Sequence, residues 1–136
     1  MVVIMERARV AGIPFFGGLS AAELDAVAAV ATEREFAAGE LLTTEGDFGH
    51  CLFVIESGSA EVSTNGAPVH VVGPGDVVGE IAVLASGRRT ASVVATTPVR
   101  ALAFFKRDVW NLEREAPELE RRLREALVGH VASASD

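Results

Sequence analysis

The sequence contains little cysteine and no long apolar segment, and both deficits restrict what the protein can be. Among its 136 residues there is one cysteine, Cys51, which excludes an internal disulfide and a metal site built from several cysteines, and which fits a reducing compartment. No apolar run approaches the about 20 residues of a membrane-spanning helix. The first residues, MVVIMERARV, place a short apolar stretch before the charges, the wrong order for a signal peptide. We expect a cytoplasmic protein with no membrane contact.

Basic residues are also scarce. Lysine and arginine total 12 against 19 aspartates and glutamates, a formal net charge of -7 at pH 7. Because nucleic-acid binding requires a basic face, we expect no nucleic-acid partner. The three histidines, His50, His70 and His130, share neither helical nor His-x-His spacing, which argues against a metal site. Cys51 begins an apolar run, and we interpret it as a buried packing residue with no catalytic role.

The N-terminal part is predicted to be helical over about residues 13–35. Ser20 lies where a helix N-cap is expected, and Glu23, three residues later, completes the sequence pattern of a capping box. Apolar residues then recur at helical spacing, at Leu24, Val27, Ala28 and Ala31. This pattern predicts a helix that buries one face against the rest of the domain.

Residues of about 36–105 have a different character, with short apolar runs separated by glycines. CLFVI, AEVST and VHVV are each long enough for one strand, and the Asn65-Gly66 pair in STNGAP is typical of a tight hairpin turn. Several short strands at regular spacing indicate an antiparallel barrel or jelly roll.

Helical spacing returns in residues of about 106–131. Pro117 is expected to end one helix and begin the next, because proline is tolerated in the first turn of a helix but not in its interior. The second helix carries an apolar stripe at Leu119, Leu123, Ala126, Leu127 and Val131. The stripe fits packing within the chain, or a homodimer formed through this helix. We expect residues 1–136 to form a single domain.

The segment GEIAVLASGRRTASV, residues 79–93, places two adjacent arginines in an acidic chain. A glycine turn at Gly75 and Gly79 that leads into one helical turn leaves backbone N–H groups directed at a common point, which suits an anion. Arg89 could return to that point and bind two phosphate oxygens at once. Glu80 would repel a phosphate, but it could accept a hydrogen bond from a sugar hydroxyl. Together these features indicate a phosphate attached to ribose.

The segment PGDVVGEIAVLASGRRTASV resembles the phosphate-binding segment of the cyclic nucleotide-binding domain family, which includes catabolite activator protein, protein kinase A regulatory subunits and pacemaker channels. FAAGELLTTEGDFGHCLFVIESGSAEV follows the glycine-separated strands of the same family, and the resemblance covers residues of about 13–131. It implies a mainly β fold, a double-stranded β-helix (jelly-roll) barrel with an N-terminal helix and two C-terminal helices.

The resemblance also implies a role for individual residues. Arg89 would bind the exocyclic oxygens of the cyclic phosphate, and Glu80 the ribose 2'-hydroxyl. The other implied ligand-binding positions are the backbone amides around Gly79, Ile81 and Ala82, the phosphate wall at Thr90 and Ala91, and the base pocket at Val62 and Val72. The ligand implied is cAMP, or cGMP through a contact of Thr90 with the guanine amino group. The last helix would supply a lid over the base, from Leu127, Val128, His130 and Val131.

The chain departs from the family in three places. Val77 and Val78 replace the aromatic residue that usually precedes Gly-Glu, a loss of packing bulk rather than of a ligand contact. Arg88 stands where proline is common, and we interpret it as a solvated neighbour of Arg89. Transcription factors of the family carry a DNA-binding helix-turn-helix module after the last helix, and we expect none here.

The leading hypothesis is a regulatory binding module without enzymatic activity or cofactor. In this hypothesis the ligand shifts the closing helices against the barrel, and an unidentified effector protein receives the signal. Two alternatives stay open. One is a cupin-like barrel enzyme, which would require metal-binding residues that the sequence does not show. The other is a degenerate scaffold domain that keeps the fold but binds no nucleotide.

Overall fold

The computed structural model describes residues 6–134, with residues 86 and 130–134 described by their backbone alone. Helices α1 (Arg7–Ala11) and α2 (Ala21–Val30), separated by a 3-10 turn (Pro14–Phe16), precede eight strands. The strands are β1 (Thr32–Phe36), β2 (Leu41–Thr43), β3 (Cys51–Ser57), β4 (Ala60–Thr64), β5 (Ala67–Val72), β6 (Val77–Val78), β7 (Ser92–Ala95) and β8 (Val99–Phe105). A π-helical turn (Ala82–Ser86) lies between β6 and β7, and helices α3 (Lys106–Glu115) and α4 (Pro117–Ala134) complete the fold.

The strands form two antiparallel sheets of four strands each. The first sheet has the order β1-β8-β3-β6 and the second the order β2-β7-β4-β5. Their inner faces share one apolar core, in which Phe53 and Ile55 of the first sheet pack with Val62 and Val93 of the second. The predicted jelly roll with flanking helices is therefore confirmed. The predicted barrel is not closed, because no ladder between described strands joins the two sheets.

The run CLFVI is apolar throughout because β3 is buried on both faces. Phe53 and Ile55 face the second sheet, whereas Leu52 and Val54 face a second apolar core formed with the helices. Leu102 and Phe104 of β8 line the same helical core. Successive side chains of a strand point to opposite faces of the sheet, so a central strand covered on both sides needs apolar residues at every position. The first sheet is thus the middle layer of the domain.

Helix α2 begins as its sequence predicts. The Ser20 hydroxyl accepts a hydrogen bond from the Glu23 N–H at 3.1 Å, and the Glu23 carboxylate accepts one from the Ser20 N–H at 3.0 Å, which is the capping box. The predicted helical region is wrong in its limits, because α2 ends at Val30 and residues 32–36 form β1, paired with β8. The pairing of TEREF with a central strand outweighs local helix propensity. Helix α1 also precedes the predicted start at residue 13.

The C-terminal helices follow the prediction. Ala116 separates α3 from α4, and Pro117 is the first residue of α4. Leu119 and Leu123 of the predicted apolar stripe are buried in the helical core with Val109 and Leu112 of α3. Pairing of the two helices therefore uses the first half of the stripe. Among the described residues, no helix combines the length and the apolarity that crossing a membrane requires.

Arg9 of α1 connects the N-terminal helix to the first sheet through two carboxylates. Its guanidinium donates to Glu56 at 2.6 and 2.7 Å and to Glu33 at 3.0 and 3.1 Å, and all three side chains are less than one-third exposed. The hydrogen bonds from Arg9 hold the pKa of the Glu33 carboxyl below its usual value. The carboxylates, in turn, raise the pKa of Arg9.

Replacing Arg9 with methionine is expected to lower the free energy of unfolding by about 1–3 kcal/mol near neutral pH, because two partly buried carboxylates lose their shared donor. A carboxyl whose pKa is lowered by folding contributes stability above its unfolded pKa, and that contribution is lost as the pH falls through the folded value. The difference between wild type and variant should therefore shrink at about pH 3.5. Urea unfolding at both pH values measures it.

The control is Arg7→Met, which removes the Arg7–Asp25 pair from the same helix. Both side chains of that pair are more than half exposed, so the free energy of unfolding should fall much less than in Arg9→Met. Equal losses for the two variants, or a pH-independent loss for Arg9→Met, would contradict the assignment.

Candidate functional site

A cavity of about 620 Å³ opens between β6, the π-helical turn and the inner face of the second sheet. We call it the main cavity, and its volume suits a small organic ligand. All nine residues that the sequence indicates for ligand binding line it: Val62, Val72, Gly79, Glu80, Ile81, Ala82, Arg89, Thr90 and Ala91. Lining residues that the sequence did not indicate are Thr43, Thr64, Val69, His70, Val77, Val78 and Val93. The structure thus brings the predicted residues to one place.

The glycine turns before the helical turn have the backbone conformation that their residue type permits. Gly75 and Gly79 have φ values of 88° and 83°, in the left-handed region that side chains disfavour. A Cβ at Gly79 would also lie 2.2 Å from Nη1 of Arg89. Gly79 therefore serves two purposes, since it allows the turn and leaves room for the arginine. Glu80, Ile81 and Ala82, which lead into the following helical turn, line the cavity.

Arg89 is buried and anchored to backbone carbonyls. Its Nη1 donates to the Gly79 carbonyl at 3.1 Å and its Nη2 to the Cys51 carbonyl at 2.7 Å, and the residue is 8% exposed. The guanidinium also lies 5.9 Å from the centre of the Phe53 ring. A guanidinium has five donors, so these two bonds leave it able to bind an anion in the cavity that it lines.

Arg88 has a different environment. It is exposed, donates to the Gly46 carbonyl at 2.9 Å, and stacks over the exposed Phe48 ring at 4.2 Å. It does not line the main cavity. The structure therefore distinguishes the two adjacent arginines and assigns only Arg89 to the cavity.

The loop of residues 46–49 holds Arg89 in position, a role that the sequence analysis missed. Gly46 N–H donates to the Arg89 carbonyl at 2.9 Å, and Arg89 N–H donates to the Asp47 carbonyl at 2.8 Å. A Cβ at Gly49 would lie 2.5 Å from the Ala82 Cβ and 2.9 Å from Arg89 Nε, so only glycine fits there. The glycines of EGDFG could have indicated a closely packed loop. Their spacing, however, does not identify the segment that the loop contacts.

Glu80 directly follows Gly79 in the chain and is 1% exposed. It lines the main cavity and interacts with other groups of the protein. A carboxylate this deeply buried must be offset by hydrogen bonds or by charge. Thr43, on β2, also lines the cavity, and its hydroxyl donates to the Ala91 carbonyl at 3.0 Å. That bond ties the cavity wall at Ala91 to strand β2 of the second sheet.

The predicted lid is not over the main cavity in the part of the chain that the structure describes. Leu127 instead lines a smaller cavity of about 150 Å³ between the π-helical turn, α3 and α4, and Val128 is 67% exposed. The lid prediction for the side chains of His130 and Val131 falls outside the described residues. Helix α4 packs against α3 and the back of the helical turn, which keeps its described side chains away from the opening.

The cavity offers little for metal chemistry. Within residues 6–134, no three histidine, cysteine, aspartate or glutamate side chains stand close enough to hold a metal ion. Cys51 is buried, as expected, and lies at the start of β3. The main cavity instead combines one buried guanidinium, one buried carboxylate and an apolar wall of valines, a set that suits an anionic ligand with hydroxyl groups and a flat apolar part.

Comparison with known proteins identifies the family. Residues 33–115 match the family described as cyclic nucleotide-binding domain. The cyclic AMP receptor protein of Thermus thermophilus is 32% identical over 85% of this chain and 59% of its own length. The crystal structure of the catabolite activator protein from the same organism superposes with a TM-score of 0.77 at 29% identity, over 90% of this chain and 60% of that one.

A third similar protein is a protein kinase regulatory subunit. The regulatory subunit of a cAMP-independent protein kinase A from Trypanosoma cruzi, bound to guanosine, superposes with a TM-score of 0.70 at 29% identity. The match covers 84% of this chain and 41% of that one. The chain therefore spans about 60% of the Thermus proteins and a smaller part of the kinase subunit.

Proposed function

This chain belongs to the cyclic nucleotide-binding domain family, and from this premise we propose that it binds a purine cyclic nucleotide, cAMP or alternatively cGMP, in the main cavity. The observation that carries the proposal is the buried Arg89 guanidinium, which lines the cavity beside a glycine turn and a short helical turn. A cyclic phosphate there would meet both a charged bidentate donor and backbone N–H groups.

In the proposed complex each part of the ligand meets a suitable surface. Arg89 binds the exocyclic phosphate oxygens, with the backbone amides at Gly79, Ile81 and Ala82. Glu80 accepts a hydrogen bond from the ribose 2'-hydroxyl, which avoids a contact between the carboxylate and the phosphate. The rest of the proposed ligand contacts are the wall at Thr90 and Ala91, where Thr90 would also reach the amino group of guanine, and the apolar base pocket at Val62 and Val72.

The module is proposed to be regulatory, with its signal transmitted by the π-helical turn. Ala82 lines the main cavity, while Val83 and Leu84 of the same turn line the smaller cavity against α3 and α4. A ligand that binds at Ala82 would therefore change the packing of both C-terminal helices, provided that it binds one packing arrangement more tightly than the other. The receiver of that change is an effector protein or a further domain.

Four further features complete the proposal. We propose α4, on which Val128 is exposed, as the surface of a possible homodimer. The acidic net charge of -7 argues against direct nucleic-acid binding by this domain, and we propose that the domain binds its ligand without enzymatic activity. We place the protein in the cytoplasm, without membrane contact, since its single cysteine fits a reducing compartment.

Titration calorimetry with cAMP, cGMP, adenosine and guanosine tests the proposal. Each cyclic nucleotide is expected to bind at least about tenfold more tightly than its nucleoside, because only the cyclic nucleotide offers a phosphate to Arg89. If a nucleoside bound as tightly as its cyclic nucleotide, the result would contradict the phosphate contact. It would favour a nucleoside ligand such as guanosine. Absence of binding by all four would favour the scaffold alternative.

A further inference from the structure

The smaller cavity, between the π-helical turn, α3 and α4, has an apolar lining to which all three elements contribute. Val83, Val109 and Leu123 line it, one from each element, and each is at most 4% exposed. Leu84 and Leu127, both partly buried, also line it. Its volume of about 150 Å³ is that of an apolar cavity that holds one benzene ring. Among the described residues none lines both cavities, so this cavity is separate from the proposed nucleotide site.

An exposed aromatic side chain lines the same cavity. Trp110 of α3, the chain's one tryptophan, lines the smaller cavity and is 59% exposed. Lys106, one turn earlier on α3, also lines it, and its Nζ lies 5.5 Å from the centre of the Trp110 ring. Aromatic rings pair in stacked or edge-to-face arrangements, which add to the free energy of burying apolar surface. A ligand with an aromatic ring can therefore use both the aliphatic lining and the indole.

Four charged side chains line the cavity beside these apolar groups: Lys106, Glu113, Glu120 and Arg124. Arg124 engages both carboxylates, since its Nε is hydrogen-bonded to Glu120 and its Nη2 lies 4.0 Å from Glu113. Lys106 forms no salt bridge with the side chains that the structure describes, and its ammonium contacts the Trp110 ring instead. The four charges sum to zero, but the ammonium is the one that has no oppositely charged group in contact.

We propose that the smaller cavity binds a small aromatic carboxylate, with its ring among the leucines and Trp110 and its carboxylate on the Lys106 ammonium. The charges decide between an acidic and a basic ligand. A carboxylate would supply the counter-charge that Lys106 lacks, whereas a cation would have to compete with Arg124 for the two glutamates. The inference goes beyond the proposed function and does not depend on it, because it uses no residue of the main cavity.

Three probes of nearly equal size test the proposal near neutral pH: benzoate is an anion, benzyl alcohol is neutral and benzylamine is a cation. Binding is followed in heteronuclear NMR spectra through the indole N–H resonance of Trp110, a single peak because the chain has one tryptophan. Wild type is expected to bind benzoate about two- to fivefold more tightly than benzyl alcohol, the range of an exposed ion pair, and benzylamine most weakly. Lys106→Met should reduce the affinity for benzoate to that for benzyl alcohol, and leave benzyl alcohol within about twofold of wild type.

Arg107→Met is the matched control, because Arg107 is the next residue of α3, is exposed and lies outside the smaller cavity. It should keep the preference of wild type for benzoate. Leu127→Phe is the second control, since a larger side chain at this position reduces the volume of the cavity and should weaken the binding of all three probes. The dispersion of the same spectra shows whether each variant is folded.

A preference for benzylamine would mean that the two glutamates dominate the cavity. Equal affinities for the three probes, or equal effects of Lys106→Met and Arg107→Met, would mean that Lys106 does not bind the carboxylate. Unchanged affinities in Leu127→Phe would place the probes elsewhere, and a Trp110 resonance that does not move would mean that the cavity binds none of them. Each of these results overturns the inference. Calorimetry with cyclic nucleotides tests the proposed function separately, so either proposal can fail while the other stands.

Discussion

Replacing Arg89 with alanine is expected to weaken cyclic-nucleotide binding by about 2–5 kcal/mol, the usual range for removing one partner of a buried charge pair. That corresponds to about thirty- to several-thousand-fold in affinity. The effect should be large because the guanidinium is 8% exposed, and in the proposed complex it would pair with a phosphate away from bulk water. Calorimetric titration of wild type and variant with cAMP and cGMP measures it.

Arg88→Ala is the matched control for this prediction. It also removes one arginine charge, at the neighbouring position, but the Arg88 side chain lies outside the main cavity. It should leave the affinity nearly unchanged. Arg89→Lys keeps the charge but not the planar fork, so it should restore only part of the lost affinity. Arg89 also donates to the carbonyls of Gly79 and Cys51, and thermal melts without ligand separate a loss of stability from a loss of binding. Equal affinities of wild type and Arg89→Ala would refute the assignment.

The largest effect on stability is expected from Gly58→Ala. Gly58 lies in the turn between β3 and β4 with a φ of 91°, and a Cβ there would lie 2.1 Å from the Pro98 carbonyl oxygen and 3.0 Å from the Val99 Cα. Both are backbone atoms at the start of the central strand β8, so neither can rotate away. The left-handed conformation and the steric clash together should lower the free energy of unfolding by about 2–5 kcal/mol, measured by urea unfolding.

Gly66→Ala separates the cost of the left-handed conformation from the cost of the steric clash. Gly66 also has a positive φ, of 79°, but a Cβ there would meet nothing within 4 Å, so only the conformational cost of about 1–2 kcal/mol applies. The difference between the two variants measures the contact with Pro98 and Val99. If both variants lost the same stability, the close approach of the β3–β4 turn to Pro98 and Val99 would be disproved.

The sequence by itself determined the features that depend on a few neighbouring residues. The Ser20–Glu23 capping box formed as predicted, and the Asn65-Gly66 pair made the β4–β5 hairpin, with both residues at positive φ. Pro117 begins α4. The segment from Gly79 to Arg89 could be recognised without coordinates because its turn chemistry and its arginine lie within eleven residues of one another. In each case the physical cause is local, so the spacing of residues is enough.

Only the tertiary structure decided what depends on contacts between distant segments. Residues 32–36 became a strand because they pair with β8, and Arg89 is held by the loop of residues 46–49 and by the Cys51 carbonyl, 38 positions away. His70 came to line the main cavity through the register of β5 with β4. Sheet order, strand register and the packing of α4 follow from burial summed over the whole chain. No short segment carries that information.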